Sequence, residues 1–226
     1  MQSPLNAEFT NNIALVEAKA SFTYAEVEQR TTEFASGLLD QSNDLAEARI
    51  AFLLPAGLDY VTVLHGIWRA GGIAIPLNVA ATESEWAHCL SSTGVTRVVS
   101  IEPYRAKIQP LCDSLSIEVL EVNDYLTGLI SALPELTPER KAMIIFTSGT
   151  TSKPKGVVTT HGNIAAQITA LVDAWAWQQN DVIPLFLPLH HVHGIIAVLS
   201  CALWAGATVH VMPTLALDEL CQQVAN

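Results

Sequence analysis

Short runs of apolar, largely β-branched residues alternate along this chain with segments whose apolar residues recur every three or four positions. Runs that are apolar at nearly every position are typical of strands buried on both faces, and the longer spacing is typical of amphipathic helices. The pattern predicts strands over residues 49–54, 73–76, 97–101, 141–147, 182–187 and 208–212.

Helices are predicted between these strands. Capping-box spacing marks two helix starts, at Thr23 and at Thr82, because each is followed three residues later by glutamate. Helical spacing predicts two more helices, over residues 58–68 and onward from Gly162. Residues 102–139 contain four prolines and are expected to form an irregular surface excursion. The alternation predicts an α/β fold in which a mainly parallel sheet is layered with helices.

The stretch from Val182 to Leu217 contains no Asp, Glu, Lys or Arg, which raises the question of a membrane span. Prolines, histidines and glycines divide it into a strand, a helix of roughly twelve residues and a second strand, each too short to cross about 30 Å of hydrocarbon. We therefore predict a buried core segment here.

Polar residues crowd the ten positions from Thr147 to Gly156, directly after the predicted strand 141–147. Hydroxyls, turn N–H groups and the charge of Lys155 or Lys153 together suit a polyphosphate, and Gly149 and Pro154 favour a stiff turn. A plain surface turn is the alternative, and the spacing excludes a Walker loop. The candidate phosphate-binding residues are Thr147, Ser148, Gly149, Thr150, Thr151 and Lys155.

The segment Phe146–Gly156 resembles the phosphate-loop signature of the acyl-adenylate-forming (AMP-binding) enzymes. Phe22–Glu26, Trp68–Leu77 and Pro188–Gly194 resemble three further blocks of that family, in the same order. The resemblance covers nearly the whole chain. It implies that residues 1–226 are the N-terminal portion of an AMP-binding domain, with the fold of the first subdomain of the family's large N-terminal domain.

Residues 174–177, followed by residues 187–194, are most similar to the branch that activates malonate and related short acids. The resemblance implies that a carboxylate reacts with ATP, assisted by Mg²⁺, to give an acyl-adenylate, which is then transferred to coenzyme A. It places the candidate phosphate-binding residues on the β- and γ-phosphates. It also places His191 beside the acyl carboxylate and the reacting phosphate, so that His191 and Lys155 are the catalytic candidates.

The chain departs from the family in two ways. Ser152 stands where the family has glycine, which costs roughly 1–2 kcal/mol if the site needs a left-handed backbone. The family's magnesium-binding glutamate, ribose-binding aspartate, hinge and catalytic lysine do not occur in this sequence. We expect a truncated ligase that is inactive alone and that requires its missing C-terminal part, either as continuous chain or as a separate polypeptide. The alternative is a non-catalytic remnant or split-enzyme subunit that acts as a nucleotide-binding or assembly module.

Three histidines, His190, His191 and His193, invite a metal interpretation. His191 and His193 would share one side of a strand, but no carboxylate or thiolate lies nearby in sequence, so we predict no metal site. His190 and His193 are instead interpreted as packed, hydrogen-bonded residues of a turn.

The charge of the chain limits the kinds of partner that it is expected to bind. The net charge of −11 argues against nucleic acid or an anionic membrane, and it predicts that the site for anionic substrates is a local positive island. The four cysteines are widely spaced and are expected to be buried thiols. The first residues resemble neither a secretory signal nor a transit peptide, so a cytoplasmic location is expected.

Overall fold

The computed structural model describes residues 9–18, 20–128, 130–147 and 154–212. The helices are α1 (Tyr24–Leu39), α2 (Leu58–Arg69), α3 (Glu83–Thr93), α4 (Tyr104–Ser114), α5 (His161–Ala174) and α6 (Cys201–Ala205), with a π-helix (His193–Ser200) directly before α6 and a 3-10 turn at Val122–Tyr125. The strands are β1 (Ile13–Glu17), β2 (Ala20–Thr23), β3 (Arg49–Leu53), β4 (Ile73–Pro76), β5 (Arg97–Ser100), β6 (Glu118–Glu121), β7 (Lys141–Thr147), β8 (Lys155–Thr160), β9 (Val182–Leu185) and β10 (Thr208–Val211).

The strands form two sheets, of six and four strands. The larger has the order β6-β5-β3-β4-β7-β8, in which only β8 is antiparallel to its neighbour. The smaller has the order β2-β1-β10-β9, in which only the β1–β2 pair is antiparallel. The prediction of a mainly parallel α/β fold is confirmed, although the sequence analysis did not anticipate the division into two sheets.

Strand β3 shows why the molecule is layered. Ile50 and Phe52 point into a core that also contains α1, α2, α5, α6 and the smaller sheet. Ala51 and Leu53 point the opposite way, into a second core beneath α3 and α4. Successive residues of a strand face opposite sides, so both faces of the larger sheet are covered.

The interpretation of residues 102–139 as an irregular excursion is wrong for its first half. This segment contains helix α4 and strand β6, which pairs with β5 and extends the larger sheet. Pro110 lies inside α4 and is exposed. Its ring does not prevent an eleven-residue helix, whose inner face buries Ile108, Leu111 and Cys112.

Both predicted capping boxes are present. The hydroxyls of Thr23 and Thr82 accept hydrogen bonds from the backbone N–H groups of Glu26 and Glu85, and the carboxylate of each glutamate accepts one from the backbone N–H of its capping residue. The uncharged segment forms β9, a helix that starts as a π-helix and continues as α6, and then β10. Among the described residues, no helix is both long enough and apolar enough to span a bilayer.

Candidate active site

Thr147 and Lys155 face each other at the neck of the predicted phosphate loop. They are the last residue of β7 and the first of β8, and they are direct partners in this antiparallel pair. Side chains at such positions start about 5 Å apart. Both residues are exposed. Two of the predicted phosphate-binding residues are therefore neighbours, while Ser148, Gly149, Thr150 and Thr151 lie outside the described residues.

The element after the loop differs from the expectation. The sequence analysis placed a helix next, but strand β8 intervenes and α5 begins only at His161. Val157 and Val158 of β8 are about half exposed, and the pattern KGVVTT has little of the apolar character of the inner strands. Strands β7 and β8 thus form an antiparallel hairpin, and the residues that flank the predicted loop are fixed in the sheet.

A cavity of ≈ 230 Å³ opens beside this hairpin. Its walls include Pro76 at the end of β4, Phe146 of β7, Pro154 of the loop exit, and the pair His190 and His191. Strands β4 and β7 are parallel, so their carboxyl ends lie at the same edge of the sheet. In open parallel sheets this edge is where ligands bind. The structure therefore brings His191, predicted to act beside the acyl carboxylate, to the same cavity as the phosphate loop.

Two features fix the turn that carries His190 and His191. The buried hydroxyl of Tyr60 on α2 donates a hydrogen bond of 2.6 Å to the carbonyl oxygen of Leu189. Gly194 allows the chain to close on itself, because a Cβ atom there would lie only 2.7 Å from the carbonyl oxygen of Pro188. The π-helix begins directly after this turn, and such helices often occur at functional sites.

The loop exit has an anchor of its own. Nε2 of His88, on α3, lies 2.8 Å from the carbonyl oxygen of Pro154, and the His88 ring packs edge-on against Phe146. A carbonyl only accepts, so Nε2 carries the proton in this contact. Neither His88 nor Tyr60 was identified from the sequence. Tyr60 lies on an apolar helical face, and no sequence motif surrounds His88, so no local signal distinguishes either from a packing residue.

The charges at the site only partly match the expected positive island. Lys155 lies in a groove of ≈ 430 Å³ that shares Phe146 and Pro154 with the cavity. The described lining of the cavity itself contains Glu85 and neither lysine nor arginine. Hydrogen bonds from Thr82 lower the pKa of Glu85, so this carboxylate is charged at neutral pH, but it is committed to capping α3.

Cys89 also lines the cavity. Burial, and to a smaller extent the negative charge of Glu85, raises the pKa of its thiol to about 11. The thiol is therefore protonated at neutral pH and is a poor nucleophile. Cys112 and Cys201 are buried, as expected, whereas Cys89 is only partly buried. Cys221 lies outside the described residues.

His190 and His191 are adjacent residues whose rings contact each other, and they do not lie on a strand. The centroids of the His190 and His191 rings lie 4.0 Å apart. Burial, followed by the electrostatic effect of His191, lowers the pKa of His190 to about 4. His193 is exposed at the start of the π-helix, which contradicts its interpretation as a packed turn residue. Within the described ranges, no group of three or more His, Cys, Asp or Glu side chains could hold a metal ion.

Phe146 of β7, Pro154 and the pair His190 and His191 thus line one cavity at the carboxyl edge of the larger sheet. The chain belongs to the AMP-binding enzyme family, whose signature it matches over residues 5–226. This match confirms the recognised superfamily, and the family's name agrees with the predicted binding of an adenine nucleotide.

Similar sequences include malonate–CoA ligases. The human mitochondrial malonate–CoA ligase ACSF3 is 38% identical over 218 residues, which cover 91% of this chain and 38% of that protein. The mouse protein is 34% identical over 94% of this chain and 38% of its own length. The malonate–CoA ligase of Arabidopsis thaliana is 32% identical over 78% of this chain and 31% of its own. The chain thus spans between 31% and 38% of the length of these relatives.

Similar solved structures support the fold. MatB from Rhodopseudomonas palustris, solved both without ligand and with ATP, superposes with a TM-score of 0.88 at 24% identity, over all of this chain and 48% of MatB. The N-terminal subdomain of Klebsiella oxytoca NpsA superposes with a TM-score of 0.82 at 21% identity, over 97% of this chain and 55% of that one. The predicted subdomain fold is therefore confirmed.

The expectation of a cytoplasmic location is wrong. Four of the vertebrate relatives, from mouse, human, frog and cattle, are mitochondrial malonate–CoA ligases. The expectation relied on the composition of the first few residues, which is a weak basis for locating a protein.

Proposed function

We propose that this chain supplies the phosphate-gripping and carboxylate-facing part of an AMP-forming acid–thiol ligase, and that its acid is malonate or a related short dicarboxylate. The observation that carries the proposal is the pairing of Thr147 with Lys155 at the neck of the hydroxyl-rich loop. The malonate assignment is supported by sequence similarity to the malonate–CoA ligases.

In the first half-reaction, a carboxylate oxygen of the acid attacks the α-phosphorus of ATP. The bond from that phosphorus to the bridging oxygen breaks, and pyrophosphate leaves with the electron pair. Thr147, Ser148, Gly149, Thr150, Thr151 and Lys155 hold the β- and γ-phosphates. Donors fixed at both ends of a hairpin need little reorganisation as charge develops on the leaving group, so they stabilise the transition state electrostatically.

His191 borders the cavity across from the loop exit and is exposed, so a substrate can reach its imidazole. We assign it a hydrogen bond to the acyl carboxylate or to the reacting phosphate, with its ring as a flat wall of the acid pocket. In the second half-reaction, the sulfur of coenzyme A bonds to the acyl carbon as the bond to AMP breaks, and the thiol proton is released.

Magnesium would neutralise part of the phosphate charge. The described residues do not fit a metal site of their own, as reported above. We therefore assign no magnesium ligand and no magnesium-dependent step to this part of the chain.

The experiment measures malonate- and coenzyme-A-dependent formation of AMP and pyrophosphate from ATP, with the C-terminal part of the ligase present on the same chain or as a separate polypeptide. Lys155→Ala should slow pyrophosphate release roughly 10- to 100-fold, because it removes charge from the leaving-group site. Lys107→Ala, which removes an exposed lysine from α4 on the outer helical layer, should leave the rate within about twofold. Unchanged pyrophosphate release in Lys155→Ala would contradict the role of the loop.

A second candidate function is a nucleotide-binding or assembly module that needs another chain. It is favoured by apolar side chains on the outer strands of the sheets: Val157 and Val158 on β8, and Val182 on β9, are 47%, 48% and 58% exposed. ATP binding measured by calorimetry without any AMP formation would favour this module. AMP formation that appears only after a separate C-terminal chain is added would indicate a split ligase.

A further inference from the structure

A second cavity, of ≈ 350 Å³, lies apart from the candidate active site. It is formed by the C-terminal half of α2 and the N-terminal part of α5, and residues 133–136 line it just before β7 begins. The phosphate loop follows the carboxyl end of β7, whereas this cavity lies near its amino end. Within the described residues, this cavity shares no lining residue with the cavity or the groove beside the loop.

The walls of the second cavity are mainly apolar. Two indole rings line it, those of Trp68 on α2 and Trp204 on α6, together with the aliphatic side chains of Leu133, Leu136, Ile164 and Ile168. The Trp68 ring is held in place, because its indole N–H donates a hydrogen bond of 2.8 Å to the carbonyl oxygen of Ala142. A concave apolar lining with a few polar groups is typical of small-molecule sites. The cavity therefore suits a ligand with an apolar body.

The charged side chains in the lining leave one carboxylate without a partner. The guanidinium of Arg69 donates to both carboxylate oxygens of Glu28, so these two charges balance each other. Glu135 is exposed, and it takes part in none of the ion pairs that the described residues form. The lining therefore carries a net negative charge.

Two histidines in the lining do not offset this charge. Burial lowers the pKa of His65 to about 3 and that of His161 to about 4, so both imidazoles are uncharged at neutral pH. Because Arg69 is already paired, an anion such as ATP or malonate would find no available cation in the described lining. The charge of the cavity therefore favours a cationic ligand.

We propose that this second cavity binds a small organic cation, whose apolar body packs against Trp68 and Trp204 and whose ammonium group pairs with the carboxylate of Glu135. The face of an indole ring carries partial negative charge and attracts cations more strongly than other aromatic side chains do. Trp204 is partly exposed, so its ring adds to the attraction of Glu135 for the ammonium group. This site is separate from the proposed ligase site, and the proposal does not depend on the ligase assignment.

The experiment compares three probes of closely similar shape at pH 7: 3-phenylpropylamine, 3-phenylpropanol and 3-phenylpropanoate, which are a cation, a neutral molecule and an anion. Each is titrated into the protein while the indole N–H signals are followed by NMR. The amine should give saturable shifts at Trp68 and Trp204 but not at Trp86, which lines the candidate active site. It should bind at least about fivefold more tightly than the alcohol. Indole signals that do not move, or an alcohol or anion that binds as tightly as the amine, would overturn the proposal.

A matched pair of variants tests the carboxylate. Glu135→Gln should weaken binding of the amine at least about threefold and leave binding of the alcohol unchanged, because only the cation loses a partner. Glu139→Gln, at an exposed glutamate that does not line the cavity, should change neither affinity by more than about twofold. Equal affinity for the amine in these two variants would contradict the role of Glu135.

A second pair of variants locates the apolar body of the ligand. Ala165 lines the cavity, and its neighbour Ala166 is exposed on the same helix. Ala165→Phe should fill part of the cavity and weaken binding of the amine at least about tenfold, whereas Ala166→Phe should change it less than about twofold. Equal affinity in the two variants would place the ligand elsewhere and overturn the assignment. If circular dichroism shows that Ala165→Phe does not fold, the comparison of Glu135→Gln with Glu139→Gln, both at exposed side chains, remains decisive.

Discussion

The hydroxyl of Tyr60 lies 2.6 Å from the carbonyl oxygen of Leu189, across 129 positions of sequence. This hydrogen bond joins α2, which packs inside the central core, to the turn that presents His190 and His191. Burial raises the pKa of Tyr60 well above its usual value, so the phenol keeps its proton and remains a donor. The position of the candidate catalytic histidine is therefore fixed by a residue that does not line its cavity.

Tyr60→Phe removes this donor and keeps the ring. We expect the free energy of unfolding to fall by about 1–2 kcal/mol, because a buried carbonyl loses a partner. If His191 acts as proposed, kcat for malonate-dependent AMP formation should fall about tenfold while KM for ATP stays within about twofold, because the turn moves and the phosphate loop does not. Tyr104→Phe, at a partly exposed tyrosine of α4, is the matched control and should change neither quantity. A rise in KM for ATP with unchanged kcat would contradict this positioning role.

The contact of His88 with the carbonyl of Pro154 should affect nucleotide binding instead. His88→Phe removes an N–H donor from the loop exit, and a hydrogen bond worth about 1 kcal/mol corresponds to roughly a fivefold change in affinity. We expect ATP affinity, measured by calorimetry, to fall by about that factor. His88→Gln retains an amide donor and should recover part of the loss. A larger loss in His88→Gln than in His88→Phe, which keeps an aromatic ring beside Phe146, would show that the ring packing rather than the hydrogen bond matters.

Ser152 lies outside the described residues, and its replacement remains a prediction from the sequence. Ser152→Gly should leave the fold unchanged, as judged by circular dichroism, and should not weaken ATP binding. Glycine adopts a left-handed backbone about as readily as a right-handed one, so any strain at this position would be relieved. A clear loss of nucleotide affinity in Ser152→Gly would show that the inferred loop geometry is wrong.

The burial of the His65 and His161 imidazoles predicts that the stability of the protein depends on pH. The pKa values of His65 and His161 in the folded protein, about 3 and about 4, lie below the value of about 6.5 expected in the unfolded chain. Below pH 6.5 the unfolded chain therefore binds more protons than the folded protein does. The free energy of unfolding should fall as the pH drops from about 6.5 to about 4, by at most about 1.4 kcal/mol per pH unit for each imidazole.

Urea unfolding at pH 7, 6 and 5 measures this slope. His161→Gln should reduce it, because one of the two titrating groups is gone. His193→Gln, at an exposed histidine, is the matched control and should leave it unchanged. A slope that is the same in all three proteins would contradict the burial of a neutral imidazole at residue 161.

The inner strands could be predicted from the sequence because they are buried on both faces. Strands β3, β4, β5 and β7 contain almost no polar residues between their ends, and their predicted bounds agree with the structure to within one residue. The outer strands β2, β6 and β8 were missed, since their mixed polar and apolar patterns resemble loops. Strand β1, an inner strand of the smaller sheet, was missed as well. Helix α4 was missed because Pro103 and Pro110 were taken as breaks, although Pro103 only precedes its first residue.

The residues of the candidate site likewise divide into those that the sequence could predict and those that it could not. The motif around Thr147 and Lys155 is local in sequence, and it was recognisable for that reason. The contacts of Tyr60 with Leu189 and of His88 with Pro154 connect residues 129 and 66 positions apart. Only the folded chain brings such residues together, so no spacing along the sequence could have predicted them.

Strands β7 and β8 pair in antiparallel fashion, and this pairing fixes the direction in which the Lys155 side chain points. That direction therefore does not depend on the length of the loop between the two strands. Adding or removing a residue at the hairpin tip would change only its reach. One residue inserted between Lys155 and Thr160 would shift the alternation of the strand and carry the ammonium group to the opposite face of the sheet. If the proposed function is right, loop-length variants should alter nucleotide preference, whereas length changes within β8 should abolish nucleotide binding.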